Sequence, residues 1–248
     1  MKSWTYGVLV LMLVGLVSFS LFPIFSVVTQ ATQQSSDGLN QQKDLSQRAM
    51  GYELVLEREP DNQTALKGLL DIRLSQGDLS AVVGPLSNLA RLNPDRSEYG
   101  ILLAQTKQQL GDNEGAKQVY ESILAQNAGD VLALQGMINL LIPLEESETA
   151  INLIQKTLSE NQLSDDNLIG VQLLLGQVYA LSDRPTEAIA VYDQMITANP
   201  QDFRPLVAKA IVLRNQGDLE TAISLFTQAV SLAPPRYQEQ IQALAAGT

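Results

Sequence analysis

The chain has 248 residues, 45% hydrophobic and 17% charged, with a formal net charge of −11 and a sequence pI near 4.4. Such an acidic surface repels phosphate backbones, which excludes nucleic acid as a partner and a polybasic grip on anionic lipid. It has no cysteine and no histidine, which removes disulfides, thiolate nucleophiles, Cys/His zinc sites, lipid attachment through cysteine and all imidazole chemistry.

The hydrophobic content excludes disorder throughout, and an aromatic content of only 5% suits close-packed helices better than an aromatic-rich sandwich. From Gly7 to Val28 no residue is charged, and Val, Leu, Phe and Ile dominate. As a helix this stretch reaches roughly 33 Å, enough for a hydrocarbon core of about 30 Å. Trp4 and Tyr6 stand at its start, where amphipathic rings favour the interface, and Pro23 is placed to kink its last turn. Lys2 precedes the stretch and the next cation is Lys43. The positive-inside rule therefore predicts a cytoplasmic N-terminus with the rest outside the cytoplasm. The competing reading is a signal peptide cleaved after Ala31, following the small residues of Thr29-Gln30-Ala31; the apolar stretch is longer than an ordinary signal core, which favours an uncleaved anchor over residues 1–28. Residues 29–42 are rich in Gln, Ser and Gly, with little to bury, and predict a flexible tether.

Beyond the tether the sequence repeats itself. Turn-forming positions recur at Pro60, Pro94, Ala128, Ser164, Pro200 and Pro234, at intervals of about 34 to 36 residues. Between them lies a second mark: Gly77-Asp78, Gly111-Asp112 and Gly217-Asp218, followed by a small residue at Val82, Ala116, Ala150, Ala188 or Ala222. Glycine ends a helix by taking the left-handed conformation other residues resist. The aspartate beside it accepts hydrogen bonds from the free N–H groups of the next helix, and Asp61, Asn62, Asp95, Asp130 and Asp202 are placed to do the same at unit boundaries. The small residues permit close helix approach, and proline forces the turn onward.

This pattern resembles the tetratricopeptide repeat, a helix–turn–helix unit of about 34 residues. The match covers five units, 63–96, 97–130, 131–166, 167–202 and 203–236. The fourth carries Leu175-Gly176, Tyr179, Ala188, Tyr192 and Pro200 at signature positions, and the fifth Ala210, Gly217, Ala222, Phe226, Ala229 and Pro234. The third departs most, with Glu145 in place of the turn glycine and Pro143 ending its first helix, and the family's tryptophan is absent throughout. Residues 43–62 read as half a repeat and 236–248 as a cap helix with Tyr237, Ile241 and Leu244 on one face. The resemblance implies an all-α, right-handed α-solenoid behind one N-terminal transmembrane helix, a layout found among membrane-anchored bacterial and plastid members.

The resemblance also implies a groove lined by the first helix of each pair. Carrying over the groove positions gives Lys67 and Asp71 in the first unit, Gln105, Gln108 and Gln109 in the second, and Gln135 and Asn139 in the third. Gln177 follows in the fourth, and Arg204, Arg214 and Asn215 in the fifth. Ser75, Ile101, Ile142, Leu173, Ala180, Val207 and Ile211 fall at further groove positions. Amides donate and accept hydrogen bonds, which suits an extended peptide backbone. A carboxylate clamp of the kind some relatives use is not matched: Asn139 and Arg204 stand at its places, but Leu174 and Ala208 face them.

Glu145-Glu146 and Asp165-Asp166 are neighbours in sequence, and adjacent helical residues point apart, so neither is an acid–base dyad. Asn62-Gln63-Thr64 fits a glycosylation pattern, with helix initiation as its plainer role. No phosphate loop, metal spacing or nucleophile elbow occurs, so no catalysis and no cofactor are expected. The expected function is a membrane-tethered protein-interaction scaffold that assists assembly of a membrane complex, with the solenoid on the periplasmic or lumenal side. The alternatives are a secreted or periplasmic binding module, and a solenoid facing the cytoplasm or stroma. The partner is a protein or peptide in the groove, and residues 7–28 engage the membrane.

Overall fold

The computed structural model describes residues 37–160 and 163–247, all helix and turn. The expected anchor at 7–28, the cleavage position at Ala31 and most of the tether lie outside the described residues. Among the described residues no helix is long and apolar enough to cross a membrane. The chain divides between Asn127 and Ala128 into two compact units.

The first unit contains α1 (Asp37–Arg58), α2 (Gln63–Ser75), α3 (Leu79–Leu92), α4 (Ser97–Gln109) and α5 (Asn113–Gln126). The helix α1 takes in the last six residues of the expected tether, 37–42, because a helix extends readily from a following segment that anchors it. That anchor is Ala49, which packs on Leu69 and Ile72 of α2 with Leu45, Tyr52 and Leu56 alongside. Two polar links fasten the same pair, Arg73 Nη2 to Glu53 at 2.6 Å and Gln76 Nε2 to Ser46 Oγ at 3.4 Å. The core then continues through Leu66 and Leu70 of α2, Val82, Leu86 and Leu89 of α3 and Leu103 of α4.

The second unit contains α6 (Val131–Leu141), a 3₁₀ turn (Ile142–Leu144), α7 (Ser147–Ser159), α8 (Asp165–Leu181), α9 (Pro185–Ala198), α10 (Phe203–Gln216), α11 (Leu219–Leu232) and α12 (Pro235–Ala246). In it α6 packs on α8 and α8 on α10, so the first helices of successive pairs are neighbours. The closing helix α12 lays Ile241 and Leu244 against α11, both buried, while Tyr237 stacks on Phe203 with ring centroids 5.4 Å apart.

Every helix pair turns the same way. A residue in the turn after each first helix is left-handed: Gly77 (φ +70°), Gly111 (+81°), Glu145 (+63°), Asp183 (+60°) and Gly217 (+93°). In each turn the following N–H reaches back five residues, as from Asp78 to the Arg73 carbonyl (3.0 Å) and from Glu146 to that of Leu141 (3.0 Å). This closure satisfies carbonyls that a helix end leaves open. Asp78, Asp112 and Asp218 then cap three of the five second helices, accepting from the N–H groups of Ala81, Gly115 and Thr221, while α7 and α9 start without a side-chain cap. At unit boundaries Asn62, Asp130, Ser164 and Asp202 cap through their side chains. Asp61 and Asp95 do not, against expectation: Asp61 is drawn instead into an ion pair with Arg91, and α4 starts after Arg96 with no side-chain cap. The small positions Val82, Ala116, Ala150, Ala188 and Ala222 are all buried, as their expected place between paired helices requires.

Candidate functional site

The first helices of the pairs carry all the residues predicted for the groove, and their side chains fall into two groups. On α2 and α4, Lys67, Asp71, Gln105 and Gln109 are exposed, and at the end of α10 so is Asn215. None of these five side chains makes a hydrogen bond or ion pair among the described residues. Lys67 and Asp71 lie one helical turn apart, as do Gln105 and Gln109, so each helix offers a stacked pair of polar heads.

The other six are engaged by the fold itself. Gln108 is half-buried and accepts the Tyr120 hydroxyl at 3.1 Å, and burial pushes the pKa of that phenol far up, so it stays a neutral donor. Gln135 donates to Asn139 at 3.0 Å on α6. Gln177, expected to face a groove, is only 6% exposed, and its Nε2 is buried without a partner among the described residues. Arg204 grips the capping residue Asp202, with Nε and Nη2 on its carboxylate and Nη2–Oδ2 at 2.7 Å; this bond raises the guanidinium pKa. Arg214 donates to the Leu244 carbonyl of α12 and lies over the Phe226 ring, 5.7 Å from its centroid. Both arginines therefore fasten helix ends in place of an acidic ligand. Ile101, Val207 and Ile211 are core residues, at most 5% exposed, because each lies on the side of its helix that meets a neighbour.

The sequence pattern did not mark one further feature. In the first unit a cavity of about 440 Å³ opens between the end of α3 and the helices α4 and α5. Its cations are Arg91, Arg96 and Lys107, and no carboxylate lines it. Each cation nevertheless has a carboxylate nearby: Asp61 on Arg91, Glu98 at 3.7 Å from Arg96, and Asp112 at 2.5 Å from Lys107. Gly100 gives α4 room at the cavity floor, since a Cβ there would lie 2.9 Å from Ile123. Helical spacing showed which residues shared a face but not which face a neighbour would leave uncovered.

Paired helices with uniform left-handed turns, three of their second helices capped by aspartate, presenting unengaged polar side chains on first helices, define a helical-repeat binding protein. The chain belongs to the tetratricopeptide repeat family, whose profile matches residues 42–233. It is 25% identical over 211 residues, 79% of the chain, to cellulose synthase operon protein C of Pseudomonas fluorescens (strain SBW25). It is 32% identical over 96 residues, 37% of the chain, to the protein of the same name from Escherichia coli (strain K12). The chain spans only 16% and 8% of the lengths of these relatives. Its fold is similar to that of yeast Tom70, with a TM-score of 0.55 at 13% identity, covering 87% of this chain and 44% of that one. A thermophilic TPR protein from Thermus thermophilus gives a TM-score of 0.52 at 18% identity, covering 75% of this chain and 97% of that one.

Proposed function

We propose that this chain is a non-catalytic scaffold, tethered to a membrane through residues 7–28, that holds a protein or peptide and helps assemble or stabilise a membrane complex. The observation that carries the binding role is the set of polar side chains on α2 and α4, Lys67, Asp71, Gln105 and Gln109, that the fold leaves exposed and unengaged. A side chain with no structural duty keeps its hydrogen-bonding capacity for a ligand, and amides suit a peptide backbone. The tether supplies the rest of the affinity, because confinement to a membrane raises the local concentration of any membrane-bound client. Relatives named for a cellulose synthase operon fit a role inside a multi-component assembly. The predicted topology puts the N-terminus in the cytoplasm and the repeats in the periplasm or lumen.

The test is crosslinking followed by affinity purification and mass spectrometry on tagged protein in its native membrane, with protease accessibility of the repeats read in parallel. Reproducible crosslinks from α2 and α4 to one membrane complex, with an intact N-terminus, support the scaffold. A mature chain starting near Thr32 with soluble envelope partners replaces it with the secreted module. Repeats digested only from the cytoplasmic or stromal side reverse the topology and leave the binding role standing.

A further inference from the structure

The helix α1 has two faces of different character. One is the core face of Leu45, Ala49, Tyr52 and Leu56 against α2. Away from that face Met50 is 62% exposed, Leu54 50% and Val55 39%. One repeat further on, at the same places in α3, Pro85 and Leu89 are buried, whereas in α1 Gly51 has nothing within 4 Å of where its Cβ would lie and Val55 faces solvent. Among the described residues, the face that a partner helix covers in α3 is therefore open in α1.

We infer that a second copy of this chain covers it, with the two α1 helices packed antiparallel about Gly51. Asp44, Gln47, Gly51, Leu54 and Arg58 recur at alternating steps of about three and four residues, the spacing of a helix–helix seam. The order of chemistry along that seam is self-complementary in the antiparallel sense only. A two-fold axis through Gly51 sets Asp44 of one copy opposite Arg58 of the other, twice, and brings Gln47 against Val55 and Arg48 against Leu54. A parallel pair would oppose Asp44 to Asp44 and Arg58 to Arg58, repelling at both ends. Asp44 has only a loose internal neighbour, Arg48 at 4.0 Å, and both side chains are more than half exposed, so the carboxylate can accept an intermolecular cation. The missing side chain at Gly51 lets the backbones approach at the crossing point, where Met50 and Leu54 of each copy close around them. An isologous contact of this kind closes as a dimer and does not propagate. One helix face is smaller than a standard interface of about 800 Å² per partner, so the association depends on concentration or on confinement in a membrane.

The chain has no cysteine, so single introduced thiols report this geometry without background. In full-length protein in detergent or native membrane, Gly51→Cys is expected to give an oxidised disulfide dimer on copper-phenanthroline treatment. A mixture of Asp44→Cys and Arg58→Cys chains is expected to crosslink, whereas Asp44→Cys alone is not, because its two copies would lie about 21 Å apart along the axis. Adding Leu54→Lys to the Gly51→Cys chain should abolish trapping while circular dichroism stays unchanged. Crosslinking of Asp44→Cys with itself would overturn the antiparallel arrangement, and no crosslink at any of these positions would overturn self-association through α1. Neither result bears on client capture by α2 and α4.

Discussion

The ring of Tyr192 in α9 occupies the space that a side chain on Gly176 of α8 would need: a Cβ there would lie 2.5 Å from the ring Cζ. Tyr192 is 1% exposed, so its ring has nowhere to retreat. Gly176→Ala is expected to destabilise the chain by about 1–3 kcal/mol through overpacking, despite the better helix propensity of alanine. Gly68 meets the far end of the Tyr52 ring at least as closely, but Tyr52 is only partly buried, so its ring has more room to shift than that of Tyr192. Gly68→Ala should therefore cost less than Gly176→Ala, and paired thermal melts will rank the two.

Glu145 and Asp183 hold the left-handed turn conformation that Gly77, Gly111 and Gly217 supply elsewhere. A side chain there costs roughly 1–2 kcal/mol, against about 0.5–1 kcal/mol of extra chain entropy lost by glycine. Glu145→Gly should thus raise stability by up to about 1 kcal/mol, and Gly217→Ala should lower it. Denaturant midpoints for both variants check the sign.

Gln177 and Arg204 were expected in a binding groove and should behave instead as structural residues. Replacing Gln177 with leucine removes a buried amide nitrogen that has no partner, so stability should hold or rise by about 1 kcal/mol. Arg204→Ala leaves the Asp202 carboxylate, whose side chain is only 6% exposed, without its cation, and should cost about 1–3 kcal/mol. A groove role for either residue would appear as lost client binding at unchanged stability.

Asp112 accepts from the Lys107 ammonium and the Gly115 N–H, and these bonds hold its carboxyl below the usual carboxylate range. The stabilisation it brings is complete above its unfolded value and is lost as pH falls through the lower folded value. Glu187, bonded by Arg184, follows the same rule. The melting temperature should therefore fall below about pH 4, and Asp112→Asn should flatten part of that fall while keeping a cap. Melts of both proteins across that range give the comparison.

Lys67, Asp71, Gln105 and Gln109 should show the opposite behaviour from Arg204. Alanine at all four should change stability by no more than about 0.5 kcal/mol per site, since no contact of the fold is lost. Client recovery in the crosslinking experiment should drop several-fold. Unchanged recovery would move the binding surface off α2 and α4.

The repeat, its period and its turn chemistry were legible in the amino-acid order because they are local. A left-handed glycine, a capping aspartate and an alanine at a close approach act within a few residues of themselves. Even the degenerate turn at Glu145 keeps the geometry, since backbone closure by the Glu146 N–H does not need a particular side chain. The start of α1 was less legible: the polar run at 37–42 has the composition of a tether, and it is helical because Ala49 and Tyr52 dock on α2. The duties of the groove residues lay beyond the sequence altogether. The family resemblance put Gln177, Arg204 and Arg214 at groove positions alongside Lys67 and Gln105, but whether such a side chain is free depends on what the folded chain brings to it. The Leu244 carbonyl of α12 captures Arg214 and packing closes over Gln177, while Arg204 is held by Asp202, the cap of its own helix. Local periodicity determines which residues can share a surface, and only tertiary packing decides which of them remain open to a partner.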